Sequence, residues 1–136
     1  MNGPAPARGA WADFWSGSHS IYVNARHAEV HYQRLAADLR ALIERHARER
    51  ASPIVLDWGC GDALSASAIV GACGQLWLYD AVGAVRERIA KRFAGMDRIR
   101  VLDDSDWQEL SPGSLDMIVV VSVAQYIGRD ELARLT

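Results

Sequence analysis

Val55-Leu56-Asp57-Trp58-Gly59-Cys60-Gly61-Asp62-Ala63 is the stretch whose reading decides the fold. Ile54-Val55-Leu56 is a short unbroken apolar run, the pattern of a strand covered on both faces. Gly59 and Gly61 supply a turn, and Ala63 to Cys73 predicts a small-residue helix stopped by Gly74. The next apolar run, Leu76-Trp77-Leu78-Tyr79, ends on Asp80. An acid about 20 residues beyond a strand, glycine turn and helix is spaced to meet a ribose lying across adjacent parallel strands.

The alternation continues outward from this stretch. Val85, Ile89 and Phe93 predict a helix over 82–93 that stops at Gly95. Ile99 to Leu102 and Met117 to Val121 predict a third and a fourth strand, with an acidic loop and one helical turn between them. Asp130 and Glu131 suit the first turn of a last helix. Upstream, Tyr32, Leu35, Leu39, Leu42 and Ile43 fall at helical spacing within 28–48, and Pro53 follows that helix. Strands alternating with helices imply an α/β fold with a parallel sheet and right-handed crossovers. Three regions follow: a disordered leader over 1–10, an aromatic segment with an amphipathic helix over 11–50, and an α/β domain over 51–136.

Composition sets bounds. The chain has 136 residues and a net charge of -2, with seven Arg against five acids in 1–50 and eight Lys or Arg against twelve acids thereafter. Neither part is basic enough for a nucleic-acid footprint. Cys60 and Cys73 match neither a zinc nor a redox spacing and read as buried free thiols. No run is apolar enough for a membrane span, and the amino terminus lacks a signal-peptide core, so a cytoplasmic protein is expected.

The turn selects its ligand by charge. A dinucleotide fingerprint places a third glycine where this chain has Leu64. Asp57 puts a carboxylate beside the turn, which repels a pyrophosphate and attracts a ligand with a positive end. Local readings compete: Asp57 capping the turn, Asp80 as a polar strand end, and Asp103, Asp104 and Asp106 as a solvated loop.

In order and spacing, residues 54–130 resemble the class I S-adenosylmethionine-dependent methyltransferases. Val55 to Ala63 is similar to their Asp-x-Gly-x-Gly motif, Leu76 to Asp80 to their second strand and its acid, and 102–105 to the segment after the third strand. Residues 114–123 resemble the fourth strand, and Ala124-Gln125-Tyr126-Ile127 the segment after it. Ala63 departs from the pattern, where a third glycine is frequent. The resemblance implies a Rossmann-like, doubly wound sheet with strand order 3-2-1-4 and the later strands of a seven-stranded sheet missing. It implies S-adenosylmethionine as cofactor. Asp57, Gly59, Cys60 and Gly61 would line its methionine part, Asp80 would accept from both ribose hydroxyls, and Ala81 would pack by the adenine. Asp104 would accept from the adenine amino group with Ser105 nearby, and Ser122 would sit near the reacting centre.

In this family, segments before the first strand often shape the acceptor pocket. Tyr22, Asn24, Arg26, His27, His31 and Tyr32 are candidates here, with Tyr126 from the segment after the fourth strand. His27 and His31 share a helical face but lack a third ligand, so no metal is expected. His31, Tyr22 and Tyr126 could handle a proton; no residue is singled out as catalytic. The expected activity is methyl transfer to a small-molecule acceptor by a carboxyl-terminally truncated domain, with self-association possible through the uncovered edge of the fourth strand. Alternatives are a nicotinamide-dependent oxidoreductase and a non-catalytic interaction module.

Overall fold

A computed structural model describes residues 8–17, 22–47, 49–123, 127, 129–133 and 135. In chain order the elements are α1 (Arg8–Ser16), α2 (Ala25–Ala47), β1 (Ile54–Trp58), α3 (Ala66–Ile69) running into a 3-10 turn (Val70–Ala72), β2 (Gln75–Tyr79), α4 (Gly83–Arg92), β3 (Ile99–Val101), α5 (Asp104–Gln108), β4 (Met117–Val119) and α6 (Arg129–Leu132). The four strands form a parallel sheet in the order β3-β2-β1-β4. This is the Rossmann-like order expected from the sequence, with β4 at an edge.

Strand alternation explains how the core divides. Val55, Leu76, Leu78 and Val119 point to one face, where Ala36, Leu39 and Ile43 of α2, Ala66 and Ile69 of α3, and Ile89 of α4 bury them. Leu56, Trp58, Trp77 and Tyr79 point to the other face, with Trp107 of α5, Leu110 and Leu115 against them. Asp116 fixes the start of β4: its Oδ2 accepts from the Ile54 amide at 2.8 Å and its Oδ1 from Arg50.

Several boundaries differ from the sequence expectation for local reasons. The sequence predicts a leader over 1–10, yet α1 begins at Arg8; residues 1–7 lie outside the described residues. α2 begins three residues early because the Asn24 side chain accepts from the His27 amide at 2.9 Å, capping the helix. Asn24 therefore has a structural role there. The helix expected over 63–73 shrinks to α3 and the 3-10 turn, because Ala63 has φ +47°, outside the helical region.

The acidic loop resolves into a capping box. Asp103 Oδ1 accepts from the Asp106 amide at 2.7 Å, and Asp106 Oδ2 accepts from the Asp103 amide at 3.1 Å. Asp106 also pairs with Arg100 at 2.7 Å. Two of the three loop acids thus hold α5 in place. Asp103→Ala is expected to cost about 1 kcal/mol, read as a fall of a few degrees in thermal midpoint. An unchanged midpoint would show that α5 is held by Trp107 packing alone.

Candidate functional site

The turn after β1 is built around two glycines with positive φ, +73° at Gly59 and +53° at Gly61. A Cβ on Gly59 would lie 2.8 Å from Val123 Cγ2, so only glycine lets the loop after β4 close onto the turn. Gly61 has open space where a Cβ would stand. That space opens onto a cavity of about 890 Å³ at the carboxyl ends of β1, β2 and β4, where ligands bind in open parallel sheets. Its volume suits a ligand of cofactor size.

Asp57, Gly59, Cys60, Gly61, Asp80, Ala81, Asp104 and Ser122 all line this cavity, as do Tyr22 and His31. Four sequence candidates, Asn24, Arg26, His27 and Ser105, do not. Arg26 stands on the exposed side of α2 and pairs with Glu29 at 3.8 Å. Ser105 turns its hydroxyl to Glu109 at 3.2 Å. Tyr126 lies outside the described residues.

Asp80 is held by the backbone. Its Oδ2 accepts from the Gly61 amide at 3.0 Å, and its Oδ1 from the Val82 amide at 2.9 Å. Each oxygen keeps a lone pair for a further donor. Burial raises its pKa, and the two amides with Arg86 and Arg88 oppose that rise. Asp57 has no such bracing among the described residues. Burial, and then repulsion from Asp80, push its carboxyl from the usual 3.8 to about 7. A cation placed between these two carboxylates would lower both. Cys60 is pushed well above the ordinary thiol value, first by burial and then by Asp57 and Asp80, so it is a weak nucleophile.

Asp104 is already engaged. Its Oδ1 accepts from Tyr79 Oη at 2.9 Å and from Arg86 Nη1 at 3.0 Å, and its Oδ2 from Arg86 Nη2 at 3.1 Å. Arg86 Nη1 also donates to the Asp80 carbonyl at 2.7 Å. Tyr79 and Trp107 stack at 5.6 Å with 26° between planes, and Trp58 leans on both. Sequence reasoning missed Arg86, because nothing in a helical spacing marks which arginine folds back on its own N-terminus.

Two buried polar groups lining the cavity lack partners among the described residues, Trp58 Nε1 and Ser65 Oγ. Each is 5% exposed, and a buried donor without an acceptor is costly. Together with the unbraced Asp57 carboxylate and the open space over Gly61, they fit a polar ligand that brings hydrogen-bond acceptors and a positive centre. A carboxylate beside the turn does not fit a diphosphate. Among the described residues no group of His, Cys, Asp and Glu could hold a metal ion, and no helix is long and apolar enough to cross a membrane.

No protein-family profile matches the chain, and no curated protein sequence matches it. Solved structures do. Magnesium protoporphyrin IX methyltransferase (ChlM) from Synechocystis PCC 6803, with bound S-adenosylmethionine, superposes on 93% of the chain with TM-score 0.61 and 15% identity. CalS10, an amino pentose methyltransferase from Micromonospora echinaspora, also with S-adenosylmethionine bound, superposes on 82% with TM-score 0.51 and 18% identity. The chain spans 64% of the first structure and 48% of the second. The fold of this chain is the Rossmann-like fold of these methyltransferases, represented in part.

Proposed function

We propose that the chain binds S-adenosylmethionine in the 890 Å³ cavity and serves methyl transfer to a small-molecule acceptor. The observation that carries this reading is Asp80, a carboxylate fixed by the Gly61 and Val82 amides at the end of β2, beside a glycine turn with open space above it. A cis-diol needs that arrangement, two acceptor oxygens held in one orientation. The bound cofactor in the two superposed methyltransferases supports the reading, and their named porphyrin and amino-sugar acceptors support a small acceptor.

The cofactor supplies an activated methyl group. The residues of this chain bind and orient. Asp80 takes the ribose, and Asp57 faces the positively charged methionine end. Ala81 and Trp107, which line the cavity, would hold the adenine. Arg86 holds Asp104 at the adenine edge, where one carboxylate oxygen retains capacity for an amino group. Ser122, with φ +58° at the end of β4, lies on the acceptor side. Val123 packs on Gly59.

Titration calorimetry of the full chain with S-adenosylhomocysteine and with NADH tests this directly. Saturable heat with the first and none with the second is expected. Binding of NADH alone would establish the oxidoreductase reading instead.

A further inference from the structure

One part of the cavity lining comes from residues before β1 and is rich in rings. Trp15, Tyr22, His31 and Tyr32 form it. The Tyr22 ring lies 5.4 Å from His31 and 5.5 Å from Tyr32, and His31 lies 5.3 Å from Tyr32. We infer that this ring wall, facing the methyl-donor side of the cavity, binds an uncharged aromatic acceptor of about one ring, with phenol as its simplest member. The inference rests on the cofactor reading above.

Charge excludes the two other classes. Asp57, Asp62, Asp80 and Asp104 line the cavity, and Arg88 is its one lining Lys or Arg among the described residues. Arg88 Nε donates to Asp62 at 3.2 Å and its Nη2 to the Trp15 carbonyl at 3.3 Å, so the charge of this guanidinium is already met by a carboxylate. An anionic acceptor would meet the Asp57 and Asp80 carboxylates as well as the cofactor sulfur, so its attraction to the sulfur is offset. A cationic acceptor would touch the positively charged sulfur of the cofactor, and like charges at contact are repelled most where water is excluded. A flat neutral molecule escapes both penalties and gains edge-to-face contact with the rings. Burial and the Tyr22 hydrogen bond raise the Tyr32 pKa, so its hydroxyl stays protonated and offers the acceptor a neutral polar contact.

The test uses the full chain saturated with S-adenosylmethionine at pH 8. Dissociation constants for phenol, benzoate, benzylammonium and cyclohexanol are read by ligand-observed NMR. Phenol is expected to bind roughly tenfold or more tightly than either charged ring, and more tightly than cyclohexanol. Benzylammonium is expected to improve severalfold when S-adenosylhomocysteine, which lacks the charged sulfur, replaces S-adenosylmethionine. Tyr22→Ala should weaken phenol at least fivefold, and Tyr22→Phe, which keeps the ring, should restore it. Benzoate equal to phenol, Tyr22→Ala without effect, or no ring bound to the loaded chain would each overturn the inference. If S-adenosylmethionine itself fails to bind, the cofactor reading falls. Phenol against benzoate on the unloaded chain then decides the wall by itself.

Discussion

Alanine at position 80 is expected to weaken S-adenosylhomocysteine binding by roughly 1.5–3 kcal/mol, the value of hydrogen bonds to a charged group, which is roughly 10- to 150-fold in Kd. The loss has two sources. The ribose loses both acceptors. The Gly61 and Val82 amides also lose the carboxylate that orients them, so the turn relaxes. Asp80→Asn separates these contributions, because the amide side chain keeps one acceptor and replaces the other with a donor. An intermediate Kd is expected for it. The same heat and the same Kd in Asp80→Ala as in the parent chain would remove Asp80 from the site and withdraw the main support for the cofactor reading.

Asp57 gives the second large effect, and it appears in stability before any ligand is added. Its pKa is about 7 in the fold and 3.8 ordinarily. The folded chain therefore binds more protons than the unfolded chain between pH 4 and 7, and stability must fall as pH rises through that window. A tenfold change in proton affinity is worth about 1.4 kcal/mol, so the ionised carboxylate costs roughly 4 kcal/mol at pH 8. Asp57→Asn removes the titration. It is expected to be more stable than the parent at pH 8 and close to it at pH 4, by chemical denaturation at each pH. Two parallel curves would show that Asp57 is solvated.

Binding should reverse the cost. A positive ligand end beside Asp57 favours the ionised form, so association below pH 7 releases a proton and affinity rises with pH across the same window. Calorimetry at pH 6 in buffers of different ionisation enthalpy reads that proton. Asp57→Asn should release none from this position.

The fold was legible because β1 and β2 are mostly apolar runs, the first leading into a glycine turn and the second ending on an acid. Val55 to Ala63 and Leu76 to Asp80 marked β1, the turn and β2, the alternation of strands with helices implied a parallel sheet, and the strand order came from the family resemblance. Boundaries governed by single side chains were less legible. Asn24 capping α2 and Ala63 adopting a left-handed backbone both override the hydrophobic periodicity, which senses neither. In the site, Asp57, Gly59, Gly61 and Asp80 line one cavity. Ser105 and Arg26 do not, since a spacing of one residue on a helix turns a side chain about 100° away. Trp58 Nε1 and Ser65 Oγ were invisible in advance, because an unpartnered polar atom is a property of three-dimensional packing. Asp103 and Asp106 looked interchangeable with Asp104 until the capping box separated them.

Arg86 joins the end of one strand to the start of a helix beyond the next, through the Asp80 carbonyl and both Asp104 oxygens. A guanidinium shared by two segments couples their opening. Deuterium should therefore enter the amides near Val82 and those of α5 at a common rate, and added salt should quicken both together. The side of the cavity formed by Asp80 and α5 would then open as one unit.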